Sequence, residues 1–576
     1  MAMRAARLAT VVALLLATPV VATAAAKGPS APAAPKGLHG FLLRPNETVA
    51  HTFPRTPAFA WNPVHAATCY EFELGTSRSF EENTVVWSNT QTGRGSAKNC
   101  VSVKRSNVIS NPQSGGDVTQ TSTTVVSTIP AIRIPAVSLN LTLPWFTGKP
   151  FALYAHVRAI TTHGASKWSS PFGFNMRWDE LPTPMATKPG LVRWQPVEGA
   201  TSYQVWYPDI RKSFQTSTNV ADEREFYSFH EDSNWWSTVR WRVRAVRQVL
   251  GSIANGLPAV SYGPWSPTYA TTNPALTTGK LQTRFAASDV VSFGWKDGAH
   301  QLMPGFTFTG DQDLTGQEWP LFRVYAFTDK DCVNTVFRGS VVGGPAFAPR
   351  SSGPLKLPTN SDELDLAMAG VLPSSTNEGA KTYGADGTTV TTSEAMTDAK
   401  TTAKTDLPDV DPQTTRYYWT VVPVGISVTD SGVYDYVDVE LPQDACERDR
   451  SSTFAKQSKP AITAAGGAFV SGLTPAGRLL ASAGHSPVVY STPLVAWKPV
   501  LAANAYQIEW SRSKYPWRRA GHTTTQSTSA VLKLSPGLWY YKVRGMNSQQ
   551  IGVSGLAWSV PLAIKVAKPK FRVSSR

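Results

Sequence analysis

The chain has 576 residues, 41% of them hydrophobic and 10% aromatic, with 55 Lys and Arg against 40 Asp and Glu, a formal charge of +15. This length excludes a single core and predicts three to five domains of roughly 150 residues each. The composition excludes a disordered chain, and 42 Gly and 43 Pro beside only 16% charged residues predict many short strands joined by turns.

Residues 1–26 read as a signal peptide. Arg4 and Arg7 supply the positive end and Leu8 to Val21 the apolar run. Ala22-Thr23-Ala24 and Ala24-Ala25-Ala26 are small-residue cleavage sites. The run is shorter than the roughly 20 apolar residues of a membrane span, and no second stretch of that kind follows. The mature chain is therefore expected to be secreted, extracellular or noncovalently attached to a surface. No Cys follows the leader closely enough for lipid attachment, and Leu357-Pro358-Thr359 lacks the apolar tail of a sortase signal. Residues 27–37 form a Pro/Ala-rich leader, expected to be an extended tether.

Beyond it one phrase recurs: Trp61-Asn62-Pro63-Val64 with Ala67 and Tyr70, Trp194-Gln195-Pro196-Val197 with Ala200 and Tyr203, and Trp497-Lys498-Pro499-Val500 with Ala503 and Tyr506. A phrase repeated at domain-sized intervals marks one folding unit copied along the chain. In the first unit (38–181) Pro57 to Trp61, Tyr70 to Leu74 and Tyr154 to Ala159 alternate as half-buried strands do. A Trp-Ser pair, Trp168-Ser169, closes it. The second unit (182–271) keeps this order through Tyr203 to Trp206, Trp241 to Ala245 and Trp265-Ser266. The fourth (464–576) does so through Tyr506 to Trp510, Tyr541 to Gly545 and Trp558-Ser559. The third (272–463) departs from it: Trp295 has no Pro-Val after it, Phe322 to Ala326 replaces the Tyr strand, and Tyr417 to Val421 stands for the late one. Long inserts fall near Val101 to Leu143 and roughly Gly343 to Pro412, and inserts of this length on a rigid scaffold are candidate binding segments.

These elements resemble the fibronectin type III domain, with its Trp in the second strand, Tyr in the third, a Tyr-x-Val-x-Ala strand near the end and a last strand entered through Gly and Ser. The resemblance covers the second and fourth units well, the first with an insertion and the third loosely. It implies an all-β chain of tandem immunoglobulin-like sandwiches, each with two antiparallel sheets burying alternate side chains. The family serves as spacer, accessory and adhesion modules. No Arg-Gly-Asp supports integrin-type adhesion here.

Four cysteines, an even number, suit an oxidising compartment. Of three connectivities, pairing within units, Cys69 with Cys100 and Cys332 with Cys446, is the economical one, and no Cys-x-x-Cys spacing supports a zinc site. Catalytic signatures are absent: no His-Glu-x-x-His, Gly-x-Ser-x-Gly or phosphate loop occurs, and His156 on its alternating strand reads as packed rather than as a base. No catalytic residue and no cofactor is expected. Asp311, Asp313 and Glu318 around Gly316, with Asp406, Asp409 and Asp411, offer oxygen ligands for calcium, but without a regular ligand series. Trp235, Trp236 and Trp517 lie outside the repeated core positions and are candidates for stacking on sugar rings, against the plainer reading of packing. Asn46 and Asn140 head glycosylation sequons that matter only in a eukaryotic source.

Charge is the clearest functional sign. From Ala464 onward 14 Lys or Arg stand against one acid, Glu509, whereas Thr272 to Thr463 holds 16 basic and 24 acidic residues. Two clusters stand out, Arg512, Lys514, Arg518 and Arg519, then Lys565, Lys568, Lys570 and Arg572. Such a surface attracts polyanions through many weak, salt-sensitive contacts. The expected partner is an anionic envelope polymer or acidic polysaccharide, with other surface proteins as further candidates. Nucleic acid lacks a supporting motif. The alternatives are an accessory protein that binds neutral carbohydrate and a divergent hydrolase with its site in the third unit.

Overall fold

The computed structural model describes residues 32–42, 51–90, 103–110, 122–129, 131–133, 135–139, 141, 143–186, 190–223, 238–248, 257–258, 260–272, 290–291, 305–308, 321–339, 346–348, 381–383, 390–392, 417–428, 434–438, 441–449, 452–454, 462–466, 488–490, 493–501, 503, 505–525, 527–547, 554–555 and 558–567. Their regular secondary structure is nearly all strand. In the first unit His39–Phe41, Ala58–Ala60 and Ala136–Ser138 form one antiparallel sheet. The facing sheet runs Thr52–Phe53, Phe172–Met176, Leu153–Thr161, Cys69–Gly75, Val85–Ser88, with the first pair parallel. The fourth unit repeats this order: Ile462–Gly466, Leu494–Trp497 and Ser529–Val531 face Val488–Tyr490, Leu562–Ala567, Gly537–Asn547, Ala505–Ser511 and Arg519–Thr525, again with a parallel first pair. Sheets of the same kind recur around Ser202–Tyr207 with Thr238–Gln248, and around Leu321–Phe327 with Tyr417–Val428. The chain is a tandem of immunoglobulin-like β-sandwiches.

The recurring phrase has a physical cause. Trp61, Trp194 and Trp497 are each at most 2% exposed, between the two sheets. Against each stands its Tyr ring, with centroids 5.2, 5.4 and 5.3 Å apart, edge-to-face in the first two units and tilted at 59° in the fourth. The Tyr hydroxyl then accepts the backbone N–H of the Val three residues past the Trp, at 3.0, 2.9 and 3.1 Å. The Ala closes the intervening turn by donating its N–H to that same Val carbonyl, at 3.2, 3.1 and 3.2 Å. Tyr and Ala thus satisfy both backbone groups of the Val, and the Trp ring packs on the Tyr, all within ten residues. Burial pushes the Tyr203 hydroxyl up to about 12, so it stays protonated.

The third unit does this differently. Trp295 lies outside the described residues. The position after the second strand, Gly305–Thr307, belongs to Phe308, which stands 5.3 Å from Phe322 at 70°. With no hydroxyl on Phe322, no Pro-Val turn is required. The strand Ala346–Phe347 also falls inside the stretch that composition assigns to an insert, with Ala346, Phe347 and Ala348 all buried. A strand of two residues has too little alternation to register in the sequence. The disulfide Cys332–Cys446 ties the loop after Leu321–Phe327 to the helix Pro442–Asp449. Each insert contributes a two-stranded hairpin, Val103–Ser110 with Ser122–Ile129 and Lys381–Tyr383 with Val390–Thr392.

The units touch through buried polar groups. Glu198, in the second unit's Trp–Tyr turn, accepts from Arg55 Nε of the first unit and from Thr528 Oγ1 of the fourth, both at 2.9 Å. Arg247 is fully buried, and its guanidinium donates to the carbonyls of Leu143 and Gly199. Desolvation lowers its pKa to about 10. Asp222 Oδ2 takes the Ala348 N–H at 2.7 Å, beside an apolar contact of Leu191 and Val220 with Ala346 and Ala348. Ala58 and Leu494 pack across the first and fourth units.

Candidate functional site: the outer faces and the basic end of the fourth unit

The late strand of the first, second and fourth units alternates so that Val157, Val243 and Val543 point inward and Arg158, Arg244 and Arg544 outward. The Trp-Ser element reinforces that strand. Ser169, Ser266 and Ser559 accept the N–H of the inward Val on the hydroxyl, at 3.1, 3.0 and 2.9 Å, and donate their own N–H to its carbonyl. This double clasp lays the preceding indole on the outer face. Arg158 then lies 4.6 Å from the Trp168 ring, Arg244 4.6 Å from Trp265 and Arg544 4.5 Å from Trp558.

The second outward position of that strand varies. It is His156 in the first unit, Arg242 in the second and Lys542 in the fourth. Arg242 sits 4.7 Å from Trp265, and Lys542 lies 4.3 Å from Trp558 and 4.5 Å from Trp517. His156 is stacked between Phe80 and Trp168, centroids 3.5 and 3.8 Å away, and bonds to Glu73 at 2.8 Å. Burial pushes the Glu73 carboxyl up, but hydrogen bonds from His156, Thr90 and Ser88 and the imidazole's charge outweigh it, leaving the pKa lowered. His156 is a packed rung of a ladder, as its strand position predicts.

In the fourth unit the one acid is already engaged. Glu509 lies 3.3 Å from Lys542 Nζ and 3.8 Å from Arg519, and it accepts the Trp517 indole N–H at 3.1 Å. Desolvation lowers the Lys542 pKa, while Glu509 acts the other way. Arg512 is fixed as well: its guanidinium lies 3.7 Å from the Trp539 ring and donates to Ser535 Oγ at 2.8 Å and to the carbonyls of Leu538 and Pro536. Lys514, Tyr515, Pro516, Arg518 and Arg519 project from the turn between Ala505–Ser511 and Arg519–Thr525, and all are exposed. Tyr515 is 72% exposed, the most of any large hydrophobic side chain described. Lys565 is exposed on Leu562–Ala567, paired with Leu538, whose carbonyl takes Arg512. The structure therefore brings Arg512, Lys514, Arg518, Arg519 and Lys565 to one end of one sandwich. Lys568, Lys570 and Arg572 lie outside the described residues.

Of the other candidates, Cys332–Cys446 is bonded and Cys69 is also half of a disulfide, while Cys100 lies outside the described residues. Asp311, Asp313, Glu318, Asp406, Asp409, Asp411, Trp235, Trp236, Asn46 and Asn140 lie outside them too. Among the described residues no group of three or more His, Cys, Asp or Glu is placed to hold a metal ion, and no helix is long and apolar enough to cross a membrane. Trp517 is engaged by Glu509 and Lys542 rather than presented as a free platform. Sequence reasoning missed a second polar cluster. Asp438 takes Arg323 Nε at 2.9 Å and the Tyr325 hydroxyl, with Arg338 at 3.7 Å. Burial and the Asp438 charge push the Tyr325 hydroxyl up. Tyr325 and Asp438 sit on strands that the sequence separates by 113 residues, so no local pattern reveals the group.

No protein-family model and no curated protein matches the chain. Among solved structures it is similar to the FN1–FN3 domains of chicken CNTN1, at 12% identity and a TM-score of 0.14, over 68% of this chain and 99% of that one. The sandwich assignment rests on strand order and core packing within each unit.

Proposed function

We propose that the chain is a secreted, nonenzymatic binding and spacer protein, held to an anionic cell envelope or extracellular polymer by its fourth unit. One observation carries this reading. Lys514, Arg518, Arg519 and Lys565 are exposed together on a unit whose one acid is already paired internally. A surface of that kind has a positive field that reaches over a Debye length of roughly 10 Å at 0.1 M salt, and Glu509, shared among Lys542, Arg519 and Trp517, offsets only part of it. Secretion is supported by the leader of residues 1–26 and by the disulfide.

The test is retention of the chain from Lys27 onward on purified envelope fractions across a salt series, beside Lys514→Glu/Arg518→Glu. Point variants suit this better than removal of the fourth unit, because truncation would uncover Ala58 and take Thr528 away from Glu198. Retention should fall steeply with salt and be lost in the double variant. Retention indifferent to salt in both proteins refutes the reading and favours contact with neutral glycan.

A further inference from the structure

We infer that the basic end of the fourth unit docks on an anionic lipid surface, with Tyr515 as the side chain that enters the headgroup layer. The inference rests on the polyanion reading above and narrows it to one source of negative charge.

The shape of the site is the first reason. A linear polyanion is best held in a groove where cations line its path. Here the cations surround a convex tip: Lys514, Tyr515 and Pro516 are consecutive exposed residues at the apex of the turn, with Arg518 and Arg519 just behind it. A phosphate or carboxylate chain passing over that tip would pair with the cations and leave the phenol ring in water. A flat, laterally adaptable anionic surface would meet cations and ring together, and Tyr is a side chain suited to the interface between headgroups and acyl chains.

The second reason is preorganisation. Trp517 is held under the turn by Glu509 Oε2 and by Lys542 over its ring. Behind the turn, Arg512 is fixed to Trp539, Ser535 and two carbonyls. Its base is thus pinned while its apex stays exposed, so little ordering is needed on binding. Leu538, 44% exposed on the neighbouring strand beside Lys565, extends the same mixed apolar and cationic surface.

The test uses the chain from Lys27 onward in vesicle sedimentation, with vesicles of phosphatidylcholine alone and vesicles in which phosphatidylglycerol replaces part of it. Soluble polyphosphate is the control polyanion. Tyr515→Ala and Lys514→Ala/Arg518→Ala are compared with the unaltered chain, and circular dichroism checks that each is folded. The unaltered chain should bind the anionic vesicles and not the neutral ones. Tyr515→Ala should weaken vesicle binding about eightfold, the factor for roughly 50 Å² of ring surface leaving water, and leave polyphosphate binding unchanged. The double variant should weaken both ligands, by about fivefold per cation for the vesicles. Equal vesicle binding by Tyr515→Ala and the unaltered chain overturns the lipid inference. So does binding to polyphosphate but not to vesicles, an outcome that leaves the polyanion reading standing. Binding to neither overturns both.

Discussion

Breaking the disulfide of the third unit should be the most damaging covalent change short of cutting the chain. Cys332 and Cys446 are 114 residues apart and both buried, in a cluster with Tyr325, Phe327, Val422 and Ala445. Loop-closure entropy for that separation gives a stabilisation of about 4.8 kcal/mol, through restriction of the unfolded chain. Most of that loop is the Ser/Thr/Gly-rich stretch after Ala348, and the logarithm makes its length nearly irrelevant. Deleting residues 351–412 would leave a loop of about 52 residues and change the term by only about 0.7 kcal/mol. The assay is hydrogen exchange of the amides in Leu321–Phe327 and Tyr417–Val428, which reports opening of this unit alone. Cys332→Ala/Cys446→Ala should speed exchange there by roughly three orders of magnitude, and the deletion by only severalfold. If the double variant accelerates exchange less than about tenfold, or if the deletion matches it, the entropic account of this bond is wrong.

Tyr203→Phe removes the hydroxyl that accepts the buried Val197 N–H, and an unpaired buried amide costs about 1–3 kcal/mol; calorimetry should show the second unit's transition lowered by several degrees. Gly199→Ala should loosen the junction of the first and second units, because Gly199 has φ +83° and a Cβ there would lie 2.4 Å from the Pro54 carbonyl oxygen. Faster proteolysis between these units would show the loosening, and unchanged cleavage would refute the role given to that contact. The first unit should lose stability in acid through Glu73. Its pKa is lower folded than unfolded, so its contribution is complete above the ordinary carboxylate range and disappears as pH falls through the folded value. Glu73→Gln should flatten that acid limb in a series of melting temperatures.

What was legible in the sequence and what was not divides by contact distance along the chain. The Trp-x-Pro-Val-x-x-Ala-x-x-Tyr phrase is readable because Val, Ala and Tyr bond one another and Trp packs on Tyr within ten residues, so spacing is itself the constraint. Likewise the Trp-Ser pair, whose hydroxyl must reach one particular amide on the neighbouring strand. Phe308 escaped notice because its partner Phe322 lies farther along than the repeated nine residues and needs no turn chemistry to reach it. Glu198 carries no local pattern that marks its role, because its partner Thr528 is 330 residues away. Arg512 reads as one more cation of a cluster, yet the structure commits it to Trp539 and to the turn at Ser535, so the cluster offers fewer unoccupied charges than its composition implies.

The same scaffold, built three times with different charge, bears on why the fourth unit is basic. In the first unit Glu71 pairs in register with Arg158 and Glu73 with His156, so the ladder on the outer sheet is matched by carboxylates. In the second, Gln204 and Trp206 take those two places opposite Arg244 and Arg242. In the fourth, Gln507 faces Arg544, and Glu509 alone answers Lys542 and Arg519. Since the first unit forms the Trp–Arg stack and the serine clasp with both carboxylates present, the fold does not require their loss. Nor does it require Lys514 and Arg518, which pair with no carboxylate among the described residues. Excess like charge raises the cost of the compact state. A surplus that stability does not ask for, gathered at one end around an exposed aromatic ring, is better explained by something outside the chain than by anything within it.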